Sequence, residues 1–471
     1  MNANETPLLQ QTAALLTEYL DECQQTDRSI SEYHSAAELS EILALNLPEE
    51  ACDEAQILDD IRQFLKYSVR TSHPHFMKQL YAGSTAAAIA GDWVSSVTNT
   101  AAHTFQVAPV ATLMEQQLID GLNQLLGFDD GDGIMASGGS NANLLGLLCG
   151  LHRRWPEIKT QGYRGQQPIL YVSDQCHYSY EKAVFTLGIG TDNMRRVPSD
   201  ESFRMCPVAL KQLIAADIAD GKQPFLIGAT AGTTVAGAFD PIDQLADIAQ
   251  EFGLWLHVDA AWGGPAAFSH EHKALMQGVE RADSVTWDAH KFMSIPLICS
   301  AVLLREKGIL ESACSGGGAS YLFHADENAD YNFGQKSLQC GRRVDSLKFW
   351  LDWRSKGTAG YRDQINHSMQ LAQYCCEFIK QHPQMELLVE PDYLNLFFRY
   401  TPPTGYSEGQ LAELNLAILD EMKKAGSFYV DYSTLREQFG IRLVISNNKL
   451  EQRHLDDLLA EIIRIGEQLS R

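Results

Sequence analysis

No stretch of this 471-residue chain is apolar for long enough to cross a bilayer; the run from Leu144 to Cys149 falls far short of the roughly 20 residues a membrane helix needs. The start, MNANETPLLQQ, lacks the basic and apolar regions of a secretory signal, so a cytoplasmic location is expected. Its ten cysteines include no CxxC pair and no Cys/His ligand spacing, only the adjacent Cys375 and Cys376. Neither a disulfide framework nor a metal site is expected; reduced, mostly buried thiols are. Basic residues are also scarce, 37 Lys and Arg against 60 Asp and Glu for a formal charge of −23, which opposes nucleic-acid binding. The balance leaves the substrate open, because one local arginine can hold an anion on an acidic protein. No internal repeat or low-complexity tract is present.

The chain is too long for one ordinary core. Residues 1–74 carry helical spacing twice, in Leu8, Leu9, Leu15, Leu16 and Leu20 and in Ile57, Leu58, Ile61, Phe64 and Leu65, and predict an N-terminal helical arm. Ser72-His73-Pro74 closes it, since a residue before proline leaves the helical region. Residues 75–355 alternate short apolar runs (169–172, 225–229, 255–258, 284–287, 301–304) with helical patterns such as 241–251. This α/β pattern predicts a large domain with a mostly parallel sheet covered on both faces. Residues 356–471, divided from it near 357–360, mix strand-like 386–389, 394–400, 427–430 and 441–445 with helix-like 410–424 and 450–468, a small C-terminal α+β domain.

Ligands on parallel sheets bind at the carboxyl ends of the strands, and the chemically notable residues follow these runs. Ser284-Val-Thr-Trp-Asp-Ala-His290-Lys291 ends a strand in a His-Lys pair; a lysine in a cleft is a candidate nucleophile toward a carbonyl, while a solvated loop is the bland alternative. Leu256-His-Val-Asp259-Ala-Ala261 places an acid at the end of an apolar strand. It needs a cation there, such as a protonated ring nitrogen, or it caps a helix; Ala261 is small enough to lie against a flat ring. Ala136-Ser-Gly-Gly139-Ser140-Asn-Ala-Asn143 opens a helical run, either a phosphate cradle of backbone N–H groups or a plain capped turn. It lacks the Gly-Lys-Ser/Thr ending of a Walker loop. His177 is suited to stacking on a ring or to a structural hydrogen bond, and Thr233 and Thr234 to a ligand or a turn.

In this order, with Thr-Ala-Gly-Thr-Thr-Val-Ala-Gly-Ala-Phe-Asp-Pro at 230–241 and Gln339-Cys-Gly-Arg-Arg-Val-Asp345, these motifs resemble the group II pyridoxal 5′-phosphate (PLP)-dependent amino-acid decarboxylases, in the glutamate, cysteine-sulfinate and aspartate branch. The likeness spans about residues 70–470. It implies the PLP-dependent transferase-like fold, type I, and a homodimer with shared active sites. It further implies that Lys291 anchors the cofactor, Asp259 pairs with its ring nitrogen, and His177 stacks opposite Ala261. Gly139, Ser140 and His290 would bind the phosphate and Thr234 would touch the cofactor. Arg442, in Gly440-Ile-Arg-Leu-Val, matches the arginine that clamps the substrate carboxylate. Tyr331, in Tyr-Asn-Phe-Gly-Gln-Lys336, matches a mobile-loop tyrosine that returns a proton after carbon dioxide leaves.

Substrate choice follows from the same resemblance. His73-Pro-His-Phe-Met-Lys-Gln79-Leu-Tyr81 and Asn99-Thr-Ala-Ala-His103 correspond to side-chain pocket segments, making Gln79, Tyr81 and His103 the candidates. The branch often has Arg where His75 stands and, in glutamate enzymes, a small polar residue in place of Tyr81; Ala101 replaces a polar and His103 an aromatic residue. These departures point away from glutamate toward aspartate or cysteine sulfinate, with 2,4-diaminobutyrate as an alternative. An aldehyde-forming amine oxidase or carbon–carbon lyase is a different reaction on the same scaffold, which retention of Tyr331 disfavours. A non-catalytic scaffold protein would not need Lys291, Asp259, His177 and Arg442 together.

Overall fold

A computed structural model describes residues 6–316, 321–324, 326–403 and 405–470; the first five residues of the expected arm lie outside them. Contacts divide the chain into two compact units, one of residues 84–372 with 389–395, the other of 1–83, 373–388 and 396–471.

The larger unit is built on seven strands, β1 Asp132–Ala136, β2 Pro168–Ser173, β3 Met194–Val197, β4 Gln223–Thr230, β5 Trp255–Asp259, β6 Ser284–Asp288 and β7 Ser300–Leu304, in the order β1-β7-β6-β5-β4-β2-β3. The run β3-β2-β4-β5-β6 is parallel, and β7 lies antiparallel between β6 and β1. Every residue of β1, β2, β5, β6 and β7 is buried, as a sheet covered on both faces requires. The five runs read from sequence are all strands, each extended by one residue or more; β1 and β3 are additional.

Helix Gly139–Arg154 follows β1 directly, with buried Leu145, Leu147 and Leu151 in the core and His152, Arg153 and Arg154 in the last turn, where cations suit the helix dipole. Helix Ser346–Gln381 runs across residues 355 and 356, broken at Gly357 with φ 66°.

The smaller unit has a sheet of β8 Met385–Val389, β9 Asn395–Tyr400, β10 Asp431–Leu435 and β11 Gln438–Val444 in the order β10-β11-β9-β8, with helices Glu408–Ala425 and Gln452–Leu469. The expected strand at 427–430 is instead a single parallel bridge from Tyr429 to Phe76; the ladder begins at Asp431, where pairing with Arg442 starts. The arm's helices Thr6–Glu22 and Glu54–Tyr67 belong to this unit, and the second is capped by Asp53 and Gln56 in a reciprocal box. Among the described residues no helix is long and apolar enough to cross a membrane.

Candidate active site

In the larger unit, registry gathers the candidates on one edge. Ser300 at the start of β7 is paired with both Ala136 and Asp288, the last residues of β1 and β6, and Asp259, ending β5, is paired with Thr230 and Thr286. The loops carrying Gly139, His177, Thr234, Ala261 and Lys291 therefore leave the same edge, the carboxyl ends of the parallel strands.

Lys291 Nζ lies 3.1 Å from Asp288 Oδ2, with its side chain one-fifth exposed. Asp288 is buried; Ser300 Oγ donates to its Oδ1 at 2.6 Å. Burial would raise this carboxyl, but Lys291, His290 and Ser300 outweigh it and hold it below the usual carboxylate range. His290 Nδ1 faces the Cys299 backbone, 2.9 Å from its carbonyl oxygen and 3.2 Å from its nitrogen, which turns Nε2 to within 3.8 Å of Asp288. Burial and, secondarily, Lys291 keep its ring below the usual histidine range. A Cβ at Gly139 would stand 2.6 Å from Asp288 Oδ2, so the helix start reaches this cluster only because no side chain intervenes. The first N–H groups of such a helix lack intrahelical partners and suit an anion. Ser140, on that turn, is exposed.

Asp259 is 6% exposed and accepts one N–H on each oxygen, from Asn143 Nδ2 at 2.8 Å and from the Ala261 backbone at 3.1 Å. Two further lone-pair positions remain for a cation. His177 Nδ1 accepts from the Ser179 N–H at 3.3 Å. Burial lowers its pKa, Lys291 adds to this, and Asp259 and Asp288 oppose it; His177 thus shares the electrostatic environment of all three. Thr234 gives its carbonyl to Asn395 Nδ2 at 3.0 Å, and Thr233 Oγ1 accepts from the Ala238 N–H, the turn role.

Tyr331, expected on a surface loop, ends a short 3₁₀ turn and packs half-buried against the core, 5.7 Å from the Phe105 ring and 6.3 Å from Phe333. His103 joins the same loop, its carbonyl accepting from the Gly334 N–H at 2.8 Å.

In the smaller unit, Arg442 Nη2 donates to Asp431 Oδ2 at 2.8 Å and to the Lys78 carbonyl at 2.9 Å. Lys78 Nζ sits 2.7 Å from the other oxygen of Asp431, so one carboxylate aligns two cations. Burial pulls the Arg442 guanidinium below its usual range, against the pull of Asp431. The Gln79 carbonyl accepts from Ser446 Oγ at 2.9 Å, and the Tyr81 ring lies 6.3 Å from Phe76. His75 stacks on Phe428 at 4.1 Å and bonds the Ser427 carbonyl, a packing role.

Sequence reading gave no role to Asp288, Asn143 or His257. All three lay within the quoted motifs; strand alternation places Asp288 on one face of β6 with Ser284 and Thr286, and His257 on one face of β5 with Asp259, whereas Asn143 is on the helix and carries no such signal.

A lysine, a histidine and two buried carboxylates on the carboxyl edge of a mostly parallel sheet define an α/β enzyme of fold type I, with residues that fit PLP. The pyridoxal-dependent decarboxylase conserved domain matches residues 37–401. Human cysteine sulfinic acid decarboxylase is 40% identical over 466 residues, 96% of this chain and 94% of its own length. The bovine acidic amino acid decarboxylase GADL1 is 37% identical, over 94% of this chain and 87% of its own. A crystal structure of mouse CSAD superposes with a TM-score of 0.96 at 35% identity, covering 99% of each chain. The chain belongs to the pyridoxal-dependent decarboxylase family and is a PLP-dependent amino-acid decarboxylase.

Proposed function

We propose that this enzyme removes the α-carboxylate of a small acidic L-amino acid, cysteine sulfinate or aspartate before glutamate, and that Lys291 anchors the cofactor. The observation that carries the reading is 40% identity to a cysteine sulfinic acid decarboxylase along nearly the whole chain, with Lys291 and Asp259 on one strand edge. PLP, when bound, supplies an aldehyde that captures amines and a ring that accepts the electron pair left as carbon dioxide departs.

Each residue then has a task. Lys291 would hold the cofactor through its aldehyde, and Asp288, 3.1 Å from Nζ, positions the amine. Asp259 would pair with the ring nitrogen, and His177 and Ala261 would flank the ring. Gly139, Ser140 and His290 would hold the phosphate, and Thr234 would touch the cofactor. Arg442 grips a carboxylate, a role its fork geometry suits, and Asp431 keeps that fork aligned. Tyr331 delivers a proton to the substrate α-carbon, and Gln79, Tyr81 and His103 contact the substrate side chain.

We further propose a homodimer. Trp93, Val94 and Val97 on helix Ala86–Thr98, and Val110 and Leu113 on helix Pro109–Leu126, are exposed, an apolar surface that a second copy would cover. Ten free cysteines suit a reducing, cytoplasmic compartment.

The test is a screen of the PLP-loaded enzyme against the common amino acids, cysteine sulfinate and 2,4-diaminobutyrate, measuring carbon dioxide and amine. Cysteine sulfinate or aspartate should give the highest kcat/KM. A preference for 2,4-diaminobutyrate would overturn the acidic assignment, and aldehyde with ammonia in place of amine would overturn decarboxylation as the net reaction.

A further inference from the structure

Behind Asp259 lies a buried chain of polar groups that the reaction as described does not use. His257 and Asp259 share one face of β5 and sit opposite Ser284 and Thr286 of β6. Asn143 comes down on this face from helix Gly139–Arg154, and Gly146, one turn later, brings the helix backbone so close that a Cβ there would lie 2.4 Å from the His257 ring. Asn143, His257, Ser284 and Thr286 are each at most 1% exposed, so every polar atom must find its partner within the protein.

The partners fix the direction of every bond. Asn143 Nδ2 donates to Asp259 Oδ2 at 2.8 Å and to Ser179 Oγ at 2.9 Å; a flipped amide would turn its oxygen against the carboxylate. Its Oδ1 is then the acceptor, taking Thr286 Oγ1 at 2.7 Å and His257 Nε2 at 3.0 Å. His257 therefore carries its proton on Nε2, and Nδ1 accepts from Ser284 Oγ at 2.8 Å. Ser284 Oγ in turn accepts from Trp255 Nε1 at 2.8 Å, a group that only donates. Burial pushes the imidazole down to about 4, so the neutral tautomer this pattern needs is the one present at neutral pH.

We propose that Asn143 and His257 are positioning residues for the cofactor ring: a one-way relay from Trp255 through Ser284, His257 and Asn143 fixes Asp259 where it meets the ring nitrogen. The inference rests on the assignment of Asp259 to that nitrogen. Each link donates toward the carboxylate, so the relay orients it and keeps it an acceptor; successive hydrogen bonds in a low-dielectric interior reinforce one another.

The test compares equilibrium binding of PLP with that of its analogue whose ring nitrogen is replaced by CH, in the unaltered protein and in Asn143→Leu, His257→Leu, His257→Gln and Ser284→Ala. The unaltered protein should prefer PLP; no preference would overturn the Asp259 assignment itself, whatever the variants do. Given that preference, Asn143→Leu should shrink it by about tenfold, as loss of a hydrogen bond to a charged group implies, and His257→Leu, one link further back, by a smaller factor. His257→Gln, which restores a donor toward Asn143, should recover most of it. Ser284→Ala, a change of one buried hydroxyl, should shrink it less and supplies the reading should a larger change prevent folding. Equal weakening toward both cofactors, or an unchanged preference, would show that these side chains only pack and would overturn the relay.

Discussion

Arg442 shows how much one side chain's environment decides. Its fork is engaged by Asp431 and the Lys78 carbonyl, which hold it in one orientation. Arg442→Lys keeps the charge and loses the planar fork; KM for the amino acid should rise about tenfold or more, since a charge-assisted hydrogen bond contributes about 1.5–3 kcal/mol, and an unchanged KM in steady-state assays would remove Arg442 from substrate binding. Tyr331→Phe keeps the packing on Phe105 and loses the hydroxyl. Misprotonated and aldehyde by-products should increase relative to amine in product analysis, and an unaltered product ratio would count against a proton-delivery role. Among single residues, Asp259 and Lys291 were legible in the sequence because the first ends an apolar strand and the second follows one by three residues. Asp288, His257 and Asn143 were not, because their partners lie on other strands and on a helix, and a linear sequence does not show which neighbours a buried polar group will find.

At the scale of elements, helix Gly139–Arg154 carries the proposed phosphate cradle at its first turn and Asn143 of the proposed relay at its second. Gly146→Ala would add an atom 2.4 Å from an enclosed imidazole. A destabilisation of about 1–3 kcal/mol is expected in a denaturant titration, and a neutral or stabilising effect would mean the helix has room to shift. The strands with continuous apolar runs were readable, as were the helices 410–424 and 450–468 to within two residues at each end. Strands β1 and β3 were not: β1 is short and contains a glycine, and β3 centres on Arg195 and Arg196. The β10–β11 hairpin turns on Arg436 and Glu437, both at positive φ, where Asn or Gly is the usual signal; nothing in that local sequence announces the turn. The apolar residues expected as a strand at 427–430 serve a single bridge and core packing instead.

For the whole molecule, buried histidines set the acid limit. His75 in one unit and His257 in the other are both pushed by burial from an ordinary 6.5 to about 4. Below about pH 6.5 the unfolded chain takes up protons that the folded one refuses until about pH 4, so stability is greatest above this window and falls as pH drops through it. For His257 alone the loss is on the order of 3 kcal/mol. Buried Asp240, raised to about 7, works in the opposite direction, so the histidine contribution is read by comparison: from pH 7 to pH 4.5 the denaturation midpoint of the unaltered protein should fall more than that of His75→Gln, and identical profiles would contradict the burial of a neutral imidazole.

The claim on which the catalytic account stands is the attachment of the cofactor to one amine. Borohydride reduction of the PLP-loaded enzyme, followed by proteolysis and mass spectrometry, should place a single pyridoxyl group on the peptide containing Lys291 and none in Lys291→Ala. A pyridoxyl group on another lysine, or its retention in that variant, would contradict the account.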